Sequence, residues 1–215
     1  MKLFVWDFHG VLEKGNEGAV LSISNRVLEN FGYKERFSEE DNLKLYGVKW
    51  YKYFEYLLPK ETEARHFELQ QACIEYEMAD PDIVERHILP NDHAHTVLDA
   101  ISKTHDQILV SNMSSVGLER FMNAVSVAEF FGKNKAYATN SHKKMLTLTK
   151  KELVSNYIRG KNFEKIIAIG DTAKDMEIGE LPKTTTYLYA HPGRKYPKVK
   201  SHYKINDLRE VLREL

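Results

Sequence analysis

Lys2-Leu3-Phe4-Val5-Trp6-Asp7-Phe8-His9-Gly10-Val11-Leu12 decides the fold. Its first half is a short apolar run of strand character. Its second half places a carboxylate at the strand end and then a glycine turn, which is where an α/β protein carries a group for chemistry. Many strands end in Asp-x-x-Gly, so the weight comes from two later segments. Ile108-Leu109-Val110-Ser111-Asn112 is an apolar strand ending in a hydroxyl. Ile166-Ile167-Ala168-Ile169-Gly170-Asp171-Thr172-Ala173-Lys174-Asp175 is another, ending in paired acids. Three apolar strands, each delivering a polar group at its C-terminal end, are expected of a parallel sheet with its site beyond those ends.

Between the first two strands the rhythm changes. Glu13 to Gly18 reads as a flexible connection, and from about Leu21 to Arg86 only helical periodicity is found. Ile23, Val27, Leu28 and Phe31 share one face, with Gly32 as a stop. Ser38 and Asp41 form an N-cap, Trp50 to Leu58 runs at helical spacing, and Thr62 to Met78 is a longer helix. From Leu89-Pro90 onward helices alternate with strands. Helices are expected at 93–103, 117–125, 149–158 and 207–215, and strands at 107–111, 136–138, 165–169 and 185–189. The expected architecture is therefore α/β, a doubly wound Rossmann-like parallel sheet. Residues 1–14 and 89–215 would form this core, and 15–88 an inserted helical cap.

Bulk properties narrow the function. Lys plus Arg total 31 and Asp plus Glu total 31, so no overall field draws the chain to nucleic acid or anionic lipid. Any pull on a charged substrate must be local. The single cysteine, Cys73, excludes an internal disulfide and a multi-cysteine metal cluster and reads as a small apolar side chain on a helix. No run approaches the ~20 apolar residues of a membrane span, and no leader pattern opens the chain, so a cytoplasmic protein is expected. Monomer and homodimer both remain open.

Asp7-x-His9-Gly10-Val11, the strand ending Ser111-Asn112, a lysine-led helix, and Gly170-Asp171-Thr172-x-x-Asp175 resemble, in this order, the four signature motifs of the haloacid dehalogenase-like hydrolases. The helical segment sits where that family carries a helical cap. The resemblance implies a Mg2+-dependent phosphomonoester hydrolase acting on a small phosphorylated metabolite. Asp7 would be the nucleophile that forms an aspartyl-phosphate. Ser111 would donate to a phosphoryl oxygen, with Asn112 helping to cradle the anion. Asp171 would hold Mg2+ together with Asp7 and the backbone carbonyl of His9, and Asp175 would support the ion directly or through water. Thr172 would cap the helix that follows. The motif lysine is assigned to Lys150, because Leu153 and Val154 follow at the spacing of a buried face; Lys151, Lys143 and Lys144 are its rivals.

One motif position departs from the family. Where a second aspartate normally protonates the leaving alcohol and then deprotonates water, this chain has His9. Three readings follow. The imidazole is the general acid/base; it orients a substrate whose leaving group needs no acid, such as an acyl phosphate or an imine-activated phosphonate; or catalysis is weak and the fold serves binding. Phosphonate and dehalogenase chemistry are the alternatives to phosphate ester hydrolysis. His93 and His95, two apart in an expected helix, diverge and do not suggest a metal site. In the helical segment Tyr46, Trp50, Tyr51, Tyr53, Phe54 and Tyr56 crowd eleven residues. They suit an aromatic core or dimer contact, or a platform in which Trp50 or Tyr46 stacks on a planar substrate. Gly15, Gly18 and Leu89-Pro90 are the expected hinge.

Overall fold

Four consecutive buried residues, Leu3–Trp6, form the first strand, β1. An unbroken apolar run suits a strand covered on both faces, and β1 lies between two parallel neighbours. The computed structural model describes residues 1–80, 82–132, 134–139, 147–191 and 195–215. The chain divides into two compact units, Met1–Lys14 with Leu89–Leu215, and Gly15–Ile88.

After β1 comes a two-residue strand, β2 (Glu13–Lys14). The inserted unit then contributes α1 (Asn16–Asn30), α2 (Glu39–Lys44), α3 (Trp50–Leu57), α4 (Glu63–Ala79) and α5 (Asp82–Glu85). The chain returns through β3 (Leu89–Pro90) and proceeds to α6 (Ala94–Ser102), β4 (Asp106–Ser111), α7 (Ser115–Ala124) and β5 (Ala136–Ala138). It continues with α8 (Lys150–Ile158), β6 (Ile166–Gly170), α9 (Ala173–Met176), β7 (Thr184–Tyr189) and β8 (Tyr203–Ile205), and ends in a 3-10 helix, Leu208–Glu214.

Among the described residues the main sheet has six strands in the order β5-β4-β1-β6-β7-β8, every pair parallel. The chain steps outward from β1 through β4 to β5, then returns to the other side of β1 with β6. That reversal puts the topological switch point between β1 and β6, where a doubly wound sheet opens a crevice. One face packs Leu3, Val5, Ile108, Val110, Ile166 and Ala168 against Val154 of α8, Phe163 and Ile178. The alternate residues, among them Phe4, Trp6, Leu109 and Ile167, are fully buried as well, as strand alternation requires of a two-sided core.

The inserted unit is built by local rules. Gly32 N–H donates to Glu29 O and Tyr33 N–H to Leu28 O, the paired bonds of a Schellman stop after α1. Ser38 and Asp41 form a reciprocal capping box on α2, and Thr62 caps α4. Of the aromatic run, Tyr53 and Phe54 are buried and meet Phe37 edge-on, while Tyr51 stacks on Phe67 with ring centroids 4.6 Å apart. Tyr56 is exposed and donates to Asp41. Cys73 is buried within α4, and burial pushes its thiol up, away from reactivity.

Four segments differ from the sequence expectation. Glu13 to Gly18 is not a loose connection, because β2 pairs antiparallel with β3 and α1 begins at Asn16. This partner lies some 75 residues away, so no local pattern announces the pairing. The last helix is of 3-10 type, and β8, short and partly exposed, adds an edge strand that apolar patterning did not mark. His93 lies outside α6, as its N-cap in the left-handed region, and His95 is bonded to Val125 O.

Gly15 follows β2 and is the N-cap of α1, at φ 100°. A Cβ there would stand 2.1 Å from His87 O, a backbone atom that cannot swing aside. Gly15→Ala is therefore expected to lower stability by about 2 kcal/mol or more, read as a fall in the urea midpoint at unchanged slope; a loss under about 0.5 kcal/mol would mean that the junction relaxes freely.

Candidate active site

The register of the parallel sheet brings the polar strand ends together. Trp6 is opposite Leu109 of β4 on one side and Ile169 of β6 on the other, so the chain leaves the sheet at one edge at Asp7, Ser111 and Asp171. Asp7 N–H donates to Ile169 O at 2.9 Å, carrying the β1–β6 ladder one step past the strand. Beyond it the N–H groups of Val11 and Leu12 both donate to Phe8 O, folding the loop into a turn around Gly10.

Lys150, first residue of α8, sits at the centre. A Thr149–Glu152 capping box sets where the helix starts, and the lysine side chain is buried. A cation at a helix N-terminus opposes the helix dipole. Here two carboxylates offset that cost: Lys150 Nζ lies 2.5 Å from Asp7 Oδ1 and 2.5 Å from Asp175 Oδ1. Burial alone would lower the Lys150 pKa, but Asp175 and Asp7 outweigh it and hold the ammonium charged. Asp7 Oδ1 also accepts from Phe8 N–H at 2.7 Å. Burial above all, then repulsion from Asp175, pushes the Asp7 carboxyl up to about 6, with Lys150 pulling the other way.

Asp175, in the first turn of α9, faces back toward β6. Its second oxygen, Oδ2, accepts from Thr172 Oγ1 at 2.6 Å and Thr172 N–H at 3.0 Å. This return requires glycine at the strand end, since a Cβ on Gly170 would lie 2.0 Å from the Asp175 Cβ. Carboxylate oxygens of Asp7, Asp171 and Asp175 all lie within 4.8 Å of one another. An all-oxygen donor set suits a hard divalent cation. Three carboxylates and one ammonium leave a formal charge of −2 on these four side chains, the charge that one such ion neutralises.

Ser111 ends β4, is buried, and its carbonyl accepts from Thr139 N–H. Asn112 is exposed and its Oδ1 accepts from Thr139 Oγ1 at 3.2 Å. Lys151 pairs with Glu180 on the surface, 2.7 Å apart, while Lys143 and Lys144 lie outside the described residues. Trp50 belongs to the inserted unit, where its indole N–H donates to Ser24 Oγ at 2.7 Å. His9 is partly exposed, and its Nδ1 lies 2.8 Å from Glu13 Oε1. Glu13 was not anticipated; its one signal in sequence is an acid directly after the apolar Val11-Leu12, four residues beyond His9.

The raised Asp7 pKa has a consequence for the metal-free protein. Between about pH 4 and 6 the folded state keeps a proton that the unfolded state has released, so stability falls as pH rises through that window. In chelator, Asp7→Asn is expected to be more stable than the wild type above pH 6, by up to about 3 kcal/mol, and the two should converge near pH 4. Urea titrations at pH 4 and 8 check this, and an equal difference at both pH values would contradict it.

The profile of the haloacid dehalogenase-like hydrolases matches residues 4–187. No curated protein matches the sequence. Solved structures of similar fold include a predicted phosphoglycolate phosphatase from Haemophilus somnus, at TM-score 0.79 and 11% identity over 100% of this chain and 97% of that one. A subfamily IA HAD-superfamily hydrolase from Geobacter sulfurreducens aligns at TM-score 0.72 and 17% identity, over 100% and 96%. A HAD family hydrolase from Deinococcus radiodurans, solved with bound phosphate and sodium, aligns at 0.66 and 15%, over 98% and 92%. With a profile match over most of its length, on a doubly wound sheet whose switch point gathers three aspartates and a lysine, this chain belongs to the haloacid dehalogenase-like hydrolase family.

Proposed function

We propose that the protein is a Mg2+-dependent phosphomonoesterase acting on a small phosphorylated metabolite through an aspartyl-phosphate on Asp7. The observation that carries this reading is the buried Lys150 ammonium held 2.5 Å from both Asp7 and Asp175. A fixed cation beside a carboxylate nucleophile lets an anionic phosphoryl group approach another anion. In the first step a carboxylate oxygen of Asp7 bonds to phosphorus as the bond to the leaving oxygen breaks, and His9 gives that oxygen a proton. In the second, His9 takes a proton from water, which attacks phosphorus and releases Asp7 and inorganic phosphate.

The remaining residues bind and neutralise. Ser111 and Asn112, at the end of β4, donate to phosphoryl oxygens. The ion would be held by Asp7, Asp171, Asp175 and the His9 carbonyl, and when bound it would supply charge neutralisation at the phosphoryl group. Residues 15–88 act as the cap that sets specificity, with Trp50 as a stacking surface. A cap of this size favours metabolites over phosphoproteins.

Hydrolysis of an aryl phosphate with and without Mg2+ tests the reading, because its good leaving group places little demand on His9. Release should require Mg2+ and fall at least about a thousandfold in Asp7→Asn. Mg2+ should also raise the melting temperature of the wild type more than that of the variant. Absence of release from folded wild-type protein would refute phosphomonoester hydrolysis and favour phosphonate, dehalogenase or binding chemistry.

A further inference from the structure

Glu13 is fully buried, yet both hydrogen bonds of its side chain end on the nucleophile loop. Oε1 accepts from Gly10 N–H at 3.2 Å and lies 2.8 Å from His9 Nδ1, and Oε2 has no partner among the described residues. A half-satisfied buried carboxylate costs stability. Its neighbours Val11 and Leu12 are wholly buried apolar residues, so an apolar side chain would suit position 13 better on packing grounds alone. What the carboxylate adds is a fixed orientation for His9. Because Oε1 already accepts from Gly10, Nδ1 supplies the hydrogen of the His9 contact, and the ring's other nitrogen, Nε2, faces away from Glu13. Phe8 and Phe121 hold the ring edge-on, with centroids 5.3 and 5.1 Å away. Side-chain exposure of 27% for His9 against 1% for Glu13 leaves the imidazole accessible and its anchor sealed.

We propose that Glu13 is a positioning residue for His9, and that the His9–Glu13 pair does in this chain what one aspartate at position 9 does elsewhere in the family. The proposal rests on the phosphatase reading above. Nδ1–H stays bonded to Glu13 throughout, while Nε2 exchanges the proton with the leaving oxygen and then with water, the division of labour of an oriented histidine. The pair is coupled. An aspartate at position 9 would face the buried Glu13 carboxylate at hydrogen-bond distance, so His9→Asp is tolerated only when position 13 is made apolar as well.

Two readouts test this. In metal-free protein labelled with 15N-histidine, His9 of the wild type should show the Nδ1–H tautomer. Glu13→Leu should lose that preference, and Glu13→Gln, which keeps an acceptor oxygen, should retain it. In steady-state assays with Mg2+, the kcat ratio of an alkyl to an aryl phosphate should drop by on the order of tenfold or more in Glu13→Leu, with KM changed far less and Glu13→Gln recovering part of the ratio. Equal losses on both esters, or a His9 tautomer indifferent to position 13, would reduce Glu13 to a structural tie and overturn the proposal. If the wild type hydrolyses neither ester the phosphatase reading falls, and the tautomer measurement alone still decides whether Glu13 orients His9.

Discussion

One ammonium between two buried carboxylates governs the core unit. Lys150 Nζ reaches Asp7 at the end of β1 and Asp175 beyond the end of β6, so a single charge ties α8 to both sides of the switch point. Without it, two carboxylates would share a low-dielectric site, an arrangement that forces protonation or separation. With it, one negative charge remains near Asp7 even before Asp171 is counted. The site is therefore anion-rich and cation-seeking by construction, and Asp7 carries a pKa raised first by its burial and then by the neighbouring Asp175 carboxylate. Gathering these charges out of water costs stability locally, and the apolar faces of the sheet supply the compensating burial.

Backbone geometry makes the arrangement possible. Gly170 lets the Asp175 side chain fold back over the end of β6, and the Thr172 hydroxyl and N–H fix its other oxygen. The Asp7 loop is held by N–H groups converging on Phe8 O and by Asn91, whose amide donates to Val11 O. Tyr189 OH donates in turn to Asn91, so β7 supports the same loop. These are uncharged supports around a charged centre, and they fix the rotamers on which directional chemistry depends. His9 and Glu13 extend the logic outward, with a buried acid orienting an accessible ring.

The class of fold and the polar residues at the strand ends were legible in the sequence, because both signals are local. Apolar runs at β1, β4 and β6 end in Asp7, Ser111 and Asp171, and strand periodicity with a C-terminal polar residue can be read from ten residues at a time. The helices of the inserted unit were legible for the same reason: the cap at Ser38 and the stop at Gly32 act within one turn. Tertiary structure decided what depends on distant partners. Spacing alone left Lys150 among four lysines, and only the crossing of α8 over the sheet sets its ammonium between Asp7 and Asp175, 143 and 25 residues away. The β2–β3 pairing, the close approach of Asp175 to Gly170 and the burial of Glu13 against His9 were equally hidden. A contact between residues far apart leaves no periodic trace, and a buried glutamate in sequence looks like any solvated one until the fold removes the water around it.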